Sequence, residues 1–107
     1  MPFCISILHT AQHSLISFSI FLGNLRLTGT LPNEIKHLQD LETLHLNDNI
    51  QLEGEVPSDA LANLTSLIEL WIQNTSLTGD INFLCSNCED EQCDFRADES
   101  INCDCCT

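Results

Sequence analysis

A spacing of about 25 residues recurs through the middle of the chain and constrains its fold more than any other feature. Three residue types repeat at this spacing: an asparagine, a leucine three residues later and a glycine two residues after the leucine. They are Asn24, Asn49 and Asn74; Leu27, Leu52 and Leu77; and Gly29, Gly54 and Gly79. A period of this length is typical of stacked structural units, none of which can bury its apolar face alone.

Each repeat contains a segment that predicts a short β-strand. In the central repeat, Leu41, Leu44 and Leu46 occupy the first, fourth and sixth places, and a polar residue separates the last two. Alternation of this kind indicates a strand with one buried face. Because neighbouring repeats must stack to share a core, we expect a parallel sheet. Its three short strands are predicted near residues 18–22, 42–46 and 68–72.

The residues after each strand predict a turn and then a short helical segment. The repeated glycine permits a turn conformation that residues with a Cβ atom avoid, and Pro32 and Pro57 end the extended segment. Apolar residues then follow Pro32 at three-residue steps, which suits a 3₁₀ helix or a single helical turn. After Pro57 the corresponding residues arrive one position later, so we expect one inserted residue there. The apolar residues that follow Pro57 are Leu61, Leu64 and Leu67.

The repeated asparagine is expected to satisfy buried backbone groups of neighbouring coils through its side-chain amide. Its position varies, because Asn49 stands three residues after the strand leucine, whereas Asn24 and Asn74 stand two residues after the corresponding apolar residue. An extra residue between Asn49 and Leu52 is expected to widen the turn in the central repeat.

The pattern L-x-x-L-x-L-x-x-N followed by L-x-G-x-V-P, read from Leu41 to Pro57, resembles the plant-type leucine-rich repeat. That repeat occurs in plant receptor ectodomains, in inhibitors of cell-wall polygalacturonases and in many algal and diatom proteins. The cysteine-rich tail contains Phe83-Leu-Cys85-Ser-Asn-Cys88, then Ala97-Asp98, then Cys103-Asp-Cys105-Cys106-Thr107. This pattern resembles the C-terminal cap of the diatom-type members. The resemblance runs from about residue 18 to the last residue. It departs at Asn82, which replaces the expected proline, and at Thr75, which takes the usual asparagine position.

This resemblance implies an α/β solenoid, a horseshoe fragment of about three repeats. Short parallel strands would form its concave face, and 3₁₀ or helical turns would form its convex face. Composition divides the chain into an N-terminal remnant or partial repeat at 1–16, leucine-rich repeats at 17–84 and a cysteine-rich cap at 85–107. A cap is expected because the open end of a solenoid exposes its core. Further repeats upstream are also expected.

The N-terminal segment lacks the features of a targeting sequence. Signal peptides begin with a basic region, and the first basic residue here is Arg26. The apolar stretch from Leu15 to Leu22 is too short to span a bilayer, so no transmembrane segment is predicted. We interpret this stretch as the first strand, and the alternative is the apolar region of a signal peptide.

Cysteine density indicates an oxidising compartment. Six of the seven cysteines lie in the last part of the chain and are candidates for disulfides: Cys85, Cys88, Cys93, Cys103, Cys105 and Cys106. Six cysteines allow about 15 pairings. The seventh, Cys4, makes the total odd, so the sequence does not determine which cysteines pair. A zinc site and a redox motif are the alternatives. Two N-glycosylation sequons, at Asn63 and Asn74, agree with an extracellular or cell-surface location.

Charge limits the classes of partner. Sixteen acidic residues face three basic ones, for a net charge of −13. Nucleic acids and anionic membranes are poor partners for such a chain, because phosphate binding requires clustered Lys and Arg. Basic partners are favoured. The acidic residues from Glu89 to Asp94 lack EF-hand spacing, so a solvated face is expected there, with no metal and no cofactor.

The outward residues of the predicted strands form a candidate partner site. Phe21, His45 and Trp71 occupy equivalent positions, and their polar neighbours are Glu69, Asn47 and Gln73. Large aromatic side chains on a flat sheet are typical interaction anchors. The alternative is that these rings only cover the sheet or pack against further repeats.

These features predict a non-catalytic ligand-recognition module that binds a peptide, a protein or a glycan on its concave face. It would form part of a receptor-like or secreted protein. The alternative is a structural C-terminal cap of a longer repeat array with no ligand of its own. No catalytic motif surrounds the histidines and no nucleophile elbow is present, so an enzyme is not predicted.

Overall fold

Two parallel sheets organise the protein, and consecutive strands alternate between them. The computed structural model describes residues 18–88 and 92–107. The first sheet contains β1, β3, β5 and β7 in that order, and the second contains β2, β4, β6 and β8. The first-sheet strands are Phe18–Phe21, Leu41–His45, Glu69–Trp71 and Asp94–Arg96; the second-sheet strands are Thr28–Gly29, Asn49–Glu55, Thr75–Asp80 and Ile101–Asn102.

The first three strands of the first sheet confirm the three predicted strand positions. Each repeat contributes one strand to each sheet, and every pairing is parallel. The predicted N-terminal remnant at 1–16 and Cys4 lie outside the described residues, as do Glu89, Asp90 and Glu91 of the acidic run.

Short helical segments connect the end of each second-sheet strand to the next first-sheet strand. They are a 3₁₀ helix at Asn33–His37, an α-helix (α1) at Ser58–Ala62 and a 3₁₀ helix at Asn82–Asn87. The residue inserted after Pro57 changes the 3₁₀ turn of the preceding repeat into an α-helical turn. Ile35 donates its amide to the carbonyl of Pro32 three residues earlier, whereas Leu61 donates to Pro57 four residues earlier. The extra residue is therefore absorbed as a wider, α-helical turn.

The core consists of the apolar residues that the repeat pattern selects. The three strand leucines of the central repeat are buried, and so are Leu27, Leu52 and Leu77. Each fully buried leucine contributes about 1.5–3 kcal/mol of transfer free energy. Gly29, Gly54 and Gly79 adopt the predicted left-handed φ angles, at 85°, 89° and 122°. They lie within β2, β4 and β6 and not in turns, so the prediction of turns at these glycines is wrong.

The three repeated asparagines do not form one row, and only Asn49 confirms the prediction that the repeated asparagine satisfies buried backbone groups. Asn49 is 1% exposed and pairs with Thr75 across the second sheet. Its Oδ1 accepts hydrogen bonds from the amides of Leu25 and Leu27, at 3.1 and 2.9 Å. Its Nδ2 donates to three backbone carbonyls. The buried asparagine therefore joins two coils, as the sequence predicts for this residue type.

Asn24 and Asn74 belong to a different row, and Asp48 is its central member. All three are exposed and adopt left-handed φ angles of 55°, 57° and 62° in that order. The segment after Asn49 belongs to β4 and not to a turn, and its pairing with β6 shifts in register between Asn49 and Glu53. The asparagines share the constant spacing of the leucines, but the extra residue here and the one in α1 place Asp48 instead of Asn49 in the row with Asn24 and Asn74.

The cysteine-rich tail continues the repeat structure. Its strand β7 extends the first sheet and β8 extends the second. Phe95 and Ile101 are buried and join the hydrophobic core. Asn82, which stands where a proline was expected, accepts a hydrogen bond from the Asp104 amide and so links the last helical turn to the tail. The tail thus forms a fourth coil, which the sequence interpretation did not include.

All six tail cysteines form disulfides with one another. The pairs are Cys85–Cys105, Cys88–Cys93 and Cys103–Cys106. The sulfur atoms of Cys85, Cys103 and Cys105 lie within 4.8 Å of one another, because two of these disulfides are neighbours. Metal binding requires thiolates, and these sulfur atoms are all engaged in covalent bonds.

Candidate functional site

A continuous row of side chains crosses the first sheet, one from each strand. Phe21 lies opposite His45, His45 opposite Trp71, and Trp71 opposite Arg96. We call these four residues the aromatic stripe. Its first three members are in the register that the sequence predicts, and Arg96 extends the row into the tail.

The members of the aromatic stripe contact one another in sequence across the sheet. The Phe21 ring meets the His45 ring edge-on, with centroids 4.8 Å apart. The rings of His45 and Trp71 are stacked at 3.7 Å with an interplanar angle of 5°. The Arg96 guanidinium carbon lies 4.0 Å from the Trp71 ring centroid, a distance at which a cation–π attraction stabilises the pair. The strand spacing of about 4.8 Å allows this stacking because equivalent residues lie side by side.

Exposure differs along the aromatic stripe. Phe21 is 64% exposed, whereas the His45 side chain is only 12% exposed. Trp71 is half-buried between its two neighbours. A partner that docks on this face would therefore meet the Phe21 ring directly and the remaining members as a packed, rigid surface.

A row of polar residues runs beside the aromatic stripe and carries two carboxylates. It consists of Ser19, Thr43, Glu69 and Asp94 in strand order. Glu69 Oε2 lies 2.5 Å from His45 Nε2. This contact links the central imidazole of the stripe to the polar row, so ring and carboxylate position each other.

Asp94 holds the guanidinium that covers Trp71. Arg96 donates from Nε and Nη2 to the two carboxylate oxygens, at 2.9 and 3.0 Å. This forked pair lowers the pKa of Asp94 below its usual value, and the nearby indole of Trp71 lowers it further. The same pair raises the pKa of Arg96. A forked geometry fixes orientation as well as charge, so Arg96 is placed over the ring.

A further row, on the other side of the stripe, contains Gly23 and two of the predicted polar neighbours, Asn47 and Gln73. Gly23 lies against Asn47, because a Cβ atom at Gly23 would come within 2.8 Å of the Asn47 amide oxygen. The Gln73 Oε1 and the Trp71 indole N–H are shielded from solvent, and neither has a hydrogen-bond partner of standard geometry among the described residues. Such groups are costly to leave unpaired, and the indole of Trp71 interacts with the Asp94 carboxylate, whose pKa it lowers.

Asp94 and Arg96 are the site residues that the sequence reasoning missed. The tail was interpreted as a cap without strands, so no outward positions were assigned in it. A signal was present, since Phe95 follows Leu70 at the repeat spacing and both are buried in register. The two glycosylation candidates lie on different elements: Asn63 follows the end of α1, and Asn74 immediately precedes β6. Both are exposed.

Within the described residues, no helix combines the length and apolar character needed to cross a membrane.

Comparison with known proteins finds similarity to segments of much longer chains. Receptor-like protein 6 of Arabidopsis thaliana is 38% identical over 69 residues, which cover 64% of this chain and 7% of the relative. Podocan of Mus musculus is 40% identical over 63 residues, or 59% of this chain and 10% of the relative. The receptor-like protein Cf-9 homolog of Solanum lycopersicum is 36% identical over 70 residues, or 61% of this chain and 8% of the relative.

No protein-family model and no solved structure matches the chain. The chain spans a tenth or less of the length of these curated relatives. Two of the three relatives bear names that describe receptor-like proteins. The repeat pattern, the two parallel sheets and these relatives together make the chain similar to a leucine-rich-repeat segment of a receptor-like protein.

Proposed function

We propose that this chain is a recognition segment of a leucine-rich-repeat solenoid and that it binds a partner on the face that carries the aromatic stripe. The observation that supports this most directly is the unbroken row from Phe21 to Arg96, in which each side chain contacts the next. Aromatic and arginine side chains are the commonest energetic anchors of interfaces. The role is binding without catalysis.

The chemistry around the stripe favours a polypeptide among the peptide, protein and glycan ligands considered. The net charge of −13 favours a basic partner, and Glu69 and Asp94 place two carboxylates beside the rings. A peptide with an apolar side chain next to a basic one meets these requirements.

Three disulfides in the tail support an extracellular or cell-surface location. Disulfides of this density persist in oxidising compartments and are rare in the cytosol. The receptor-like names of two relatives agree with this location.

A structural cap without a ligand is the second candidate, and one observation favours it. The tail places Arg96 over Trp71, so the last coil covers part of the surface that a partner would use. In that case the stripe stiffens the sheet, and ligands bind elsewhere on a longer protein.

A peptide-selection experiment separates the two candidates. A random peptide library is panned against the oxidised full chain, and selected peptides are tested on Trp71→Ala and on Lys36→Ala, a control on the 3₁₀ helix away from the first sheet. We expect Trp71→Ala to weaken binding by about 2 kcal/mol or more, roughly 30-fold. Lys36→Ala should change affinity little. Peptides that bind both variants equally well, or a failure to select any, would favour the cap.

A further inference from the structure

A groove lies beside the first sheet, at the edge where the chain leaves its strands. It has a volume of about 590 Å³, within the range of about 300–1,000 Å³ that small-ligand sites occupy. We call it the lateral groove. Its lining comes from three successive repeats and consists of Asn24, Arg26, Asp48, Ile50, Gln51 and Asn74.

Backbone strain is concentrated in this groove. Four non-glycine residues of the described chain have left-handed φ angles, and all four line the lateral groove: Asn24, Arg26, Asp48 and Asn74. Asparagine and aspartate tolerate this conformation, but an arginine rarely adopts it. Strained residues cluster where a binding surface must be held in one shape.

The centre of the groove is a fixed carboxylate. Asp48 accepts hydrogen bonds from the side-chain amides of Asn47 and Asn74, at 2.8 and 2.9 Å. These bonds lower the pKa of Asp48 below its usual value, with that from Asn74 contributing most. Beside the carboxylate, Ile50 stands at the register shift of β4 and is 66% exposed. The groove thus combines a charged acceptor, several amides and one apolar surface.

Asn74 is also the acceptor residue of a glycosylation sequon. The sequence Asn74-Thr75-Ser76 places a hydroxyl two residues after the asparagine, as the transfer reaction requires. Asn74 and Ser76 are both exposed. The second sequon differs in its surroundings. Asn63 follows α1 and lines a smaller cavity of about 290 Å³ that includes Lys36 and Asp59.

We propose that Asn74 carries an N-linked glycan whose first sugars occupy the lateral groove and cover Ile50. The donor is an oligosaccharide linked to a lipid through pyrophosphate. Asn74 Nδ2 forms a bond to the anomeric carbon of the first sugar, the bond from that carbon to the pyrophosphate oxygen breaks, and the lipid pyrophosphate leaves. The amide loses one proton to a base of the transferase and keeps the other. The remaining N–H can still donate to Asp48.

The groove offers what a tethered sugar needs. A pyranose presents hydroxyl groups to carboxylate and amide acceptors, and its C–H face packs on an apolar surface such as Ile50. Covalent attachment makes the docking step intramolecular, so a high effective concentration allows weak contacts to hold the sugar in place. At Asn63 the same attachment leads to a convex-side surface without an exposed large apolar residue in its lining. The two glycans should therefore behave differently.

This inference rests on the secretory location in the proposed function and not on binding at the aromatic stripe. Its test directs the full chain through a eukaryotic secretory pathway with a cleavable signal, so either proposal can fail without the other. A matched sample from the oxidising bacterial periplasm provides the unglycosylated protein. Ser76→Ala removes the sequon but keeps Asn74, and Thr65→Ala removes the sequon at Asn63.

Two measurements decide the outcome. Glycopeptide mass spectrometry should find a glycan on Asn74, and hydrogen exchange of residues 48–52 should be at least ~3-fold slower in the glycosylated protein than in its Ser76→Ala variant. Ser76 also donates a hydrogen bond to the Ile50 carbonyl. Ser76→Ala in the periplasmic protein therefore measures how the loss of that bond alone changes hydrogen exchange. This change is subtracted from the one measured in the glycosylated protein. Thr65→Ala should leave this exchange unchanged. An unmodified Asn74, or a glycan that leaves the exchange of 48–52 unaltered, overturns the proposal.

Discussion

The repeats and the tail build the same coil by different means. In the repeats, leucines at fixed positions fill the core, and Leu44 and Leu70 are almost completely buried. The tail offers Phe95 and Ile101 in equivalent places and adds three disulfides. The difference teaches that strand register continues past the end of the leucine pattern, where disulfides add covalent links to the buried contacts.

The largest expected effect tests whether the tail is truly a fourth coil. Phe95→Ala should destabilise the protein by about 3–5 kcal/mol, since it removes a fully buried ring. Leu70→Ala, its neighbour across the sheet, serves as the matched variant and should cost about 2–5 kcal/mol. Both are measured by denaturant unfolding of the oxidised protein. A small cost for Phe95→Ala beside a large one for Leu70→Ala would mean that the disulfides alone hold the tail.

A smaller difference is expected between two of the disulfides. Cys85–Cys105 closes a loop with a sequence separation of 20 and joins the last 3₁₀ helix to the tail, whereas Cys103–Cys106 has a separation of 3. Because a crosslink restricts the unfolded chain more when its loop is longer, paired serine substitutions should cost about 3 kcal/mol for the first and about 2 kcal/mol for the second.

The comparison uses the two double variants, Cys85→Ser with Cys105→Ser and Cys103→Ser with Cys106→Ser. Non-reducing peptide mapping first checks that the remaining disulfides keep their partners. Equal free energies of unfolding for the two variants would show that loop length does not determine the contribution of the tail disulfides.

The sequence predicted the repeats better than the tail, for a physical reason. Leucines and glycines at a constant spacing indicate the core residues and the positions with left-handed φ, because burial and left-handed φ both strongly restrict which residue types fit. Outward positions carry no such restriction. The spacing from Phe21 to His45 is two residues shorter than that from His45 to Trp71, and only counting from each strand's own leucines recovers the row.

The repeated asparagines and Arg96, the last residue of the aromatic stripe, show which features the repeat pattern does not predict. Asn24 and Asn49 share the leucine spacing, yet the extra residue after Asn49 gives them different structural roles. Arg96 follows a segment rich in acidic and cysteine residues, which hides the strand. The forked bond with Asp94 holds Arg96 over Trp71. The fold determines which side chains lie next to each other on the sheet, so residue spacing alone does not predict this contact.

The smallest expected effect concerns that forked bond, which joins the tail to the repeats through Trp71. The pKa of Asp94 in the folded protein is lowered, first by its hydrogen bonds with Arg96. A group of this kind stabilises the folded state above its unfolded pKa, about 3.9 for aspartate, and the contribution is lost as the pH falls through the lower folded value. The pair is partly exposed, so solvent screening keeps its contribution small.

Asp94→Asn removes this contribution and should flatten the loss of stability between about pH 5 and pH 2, relative to the unmodified protein. Asp59→Asn, an exposed change on α1 away from the first sheet, is the matched control and should leave the steeper decline in place. Trp71 is the only tryptophan of the chain, so its fluorescence reports unfolding and the packing of Arg96 in the same titration. Parallel pH curves for the unmodified protein and Asp94→Asn would show that the fork orients Arg96 without stabilising the join between tail and repeats.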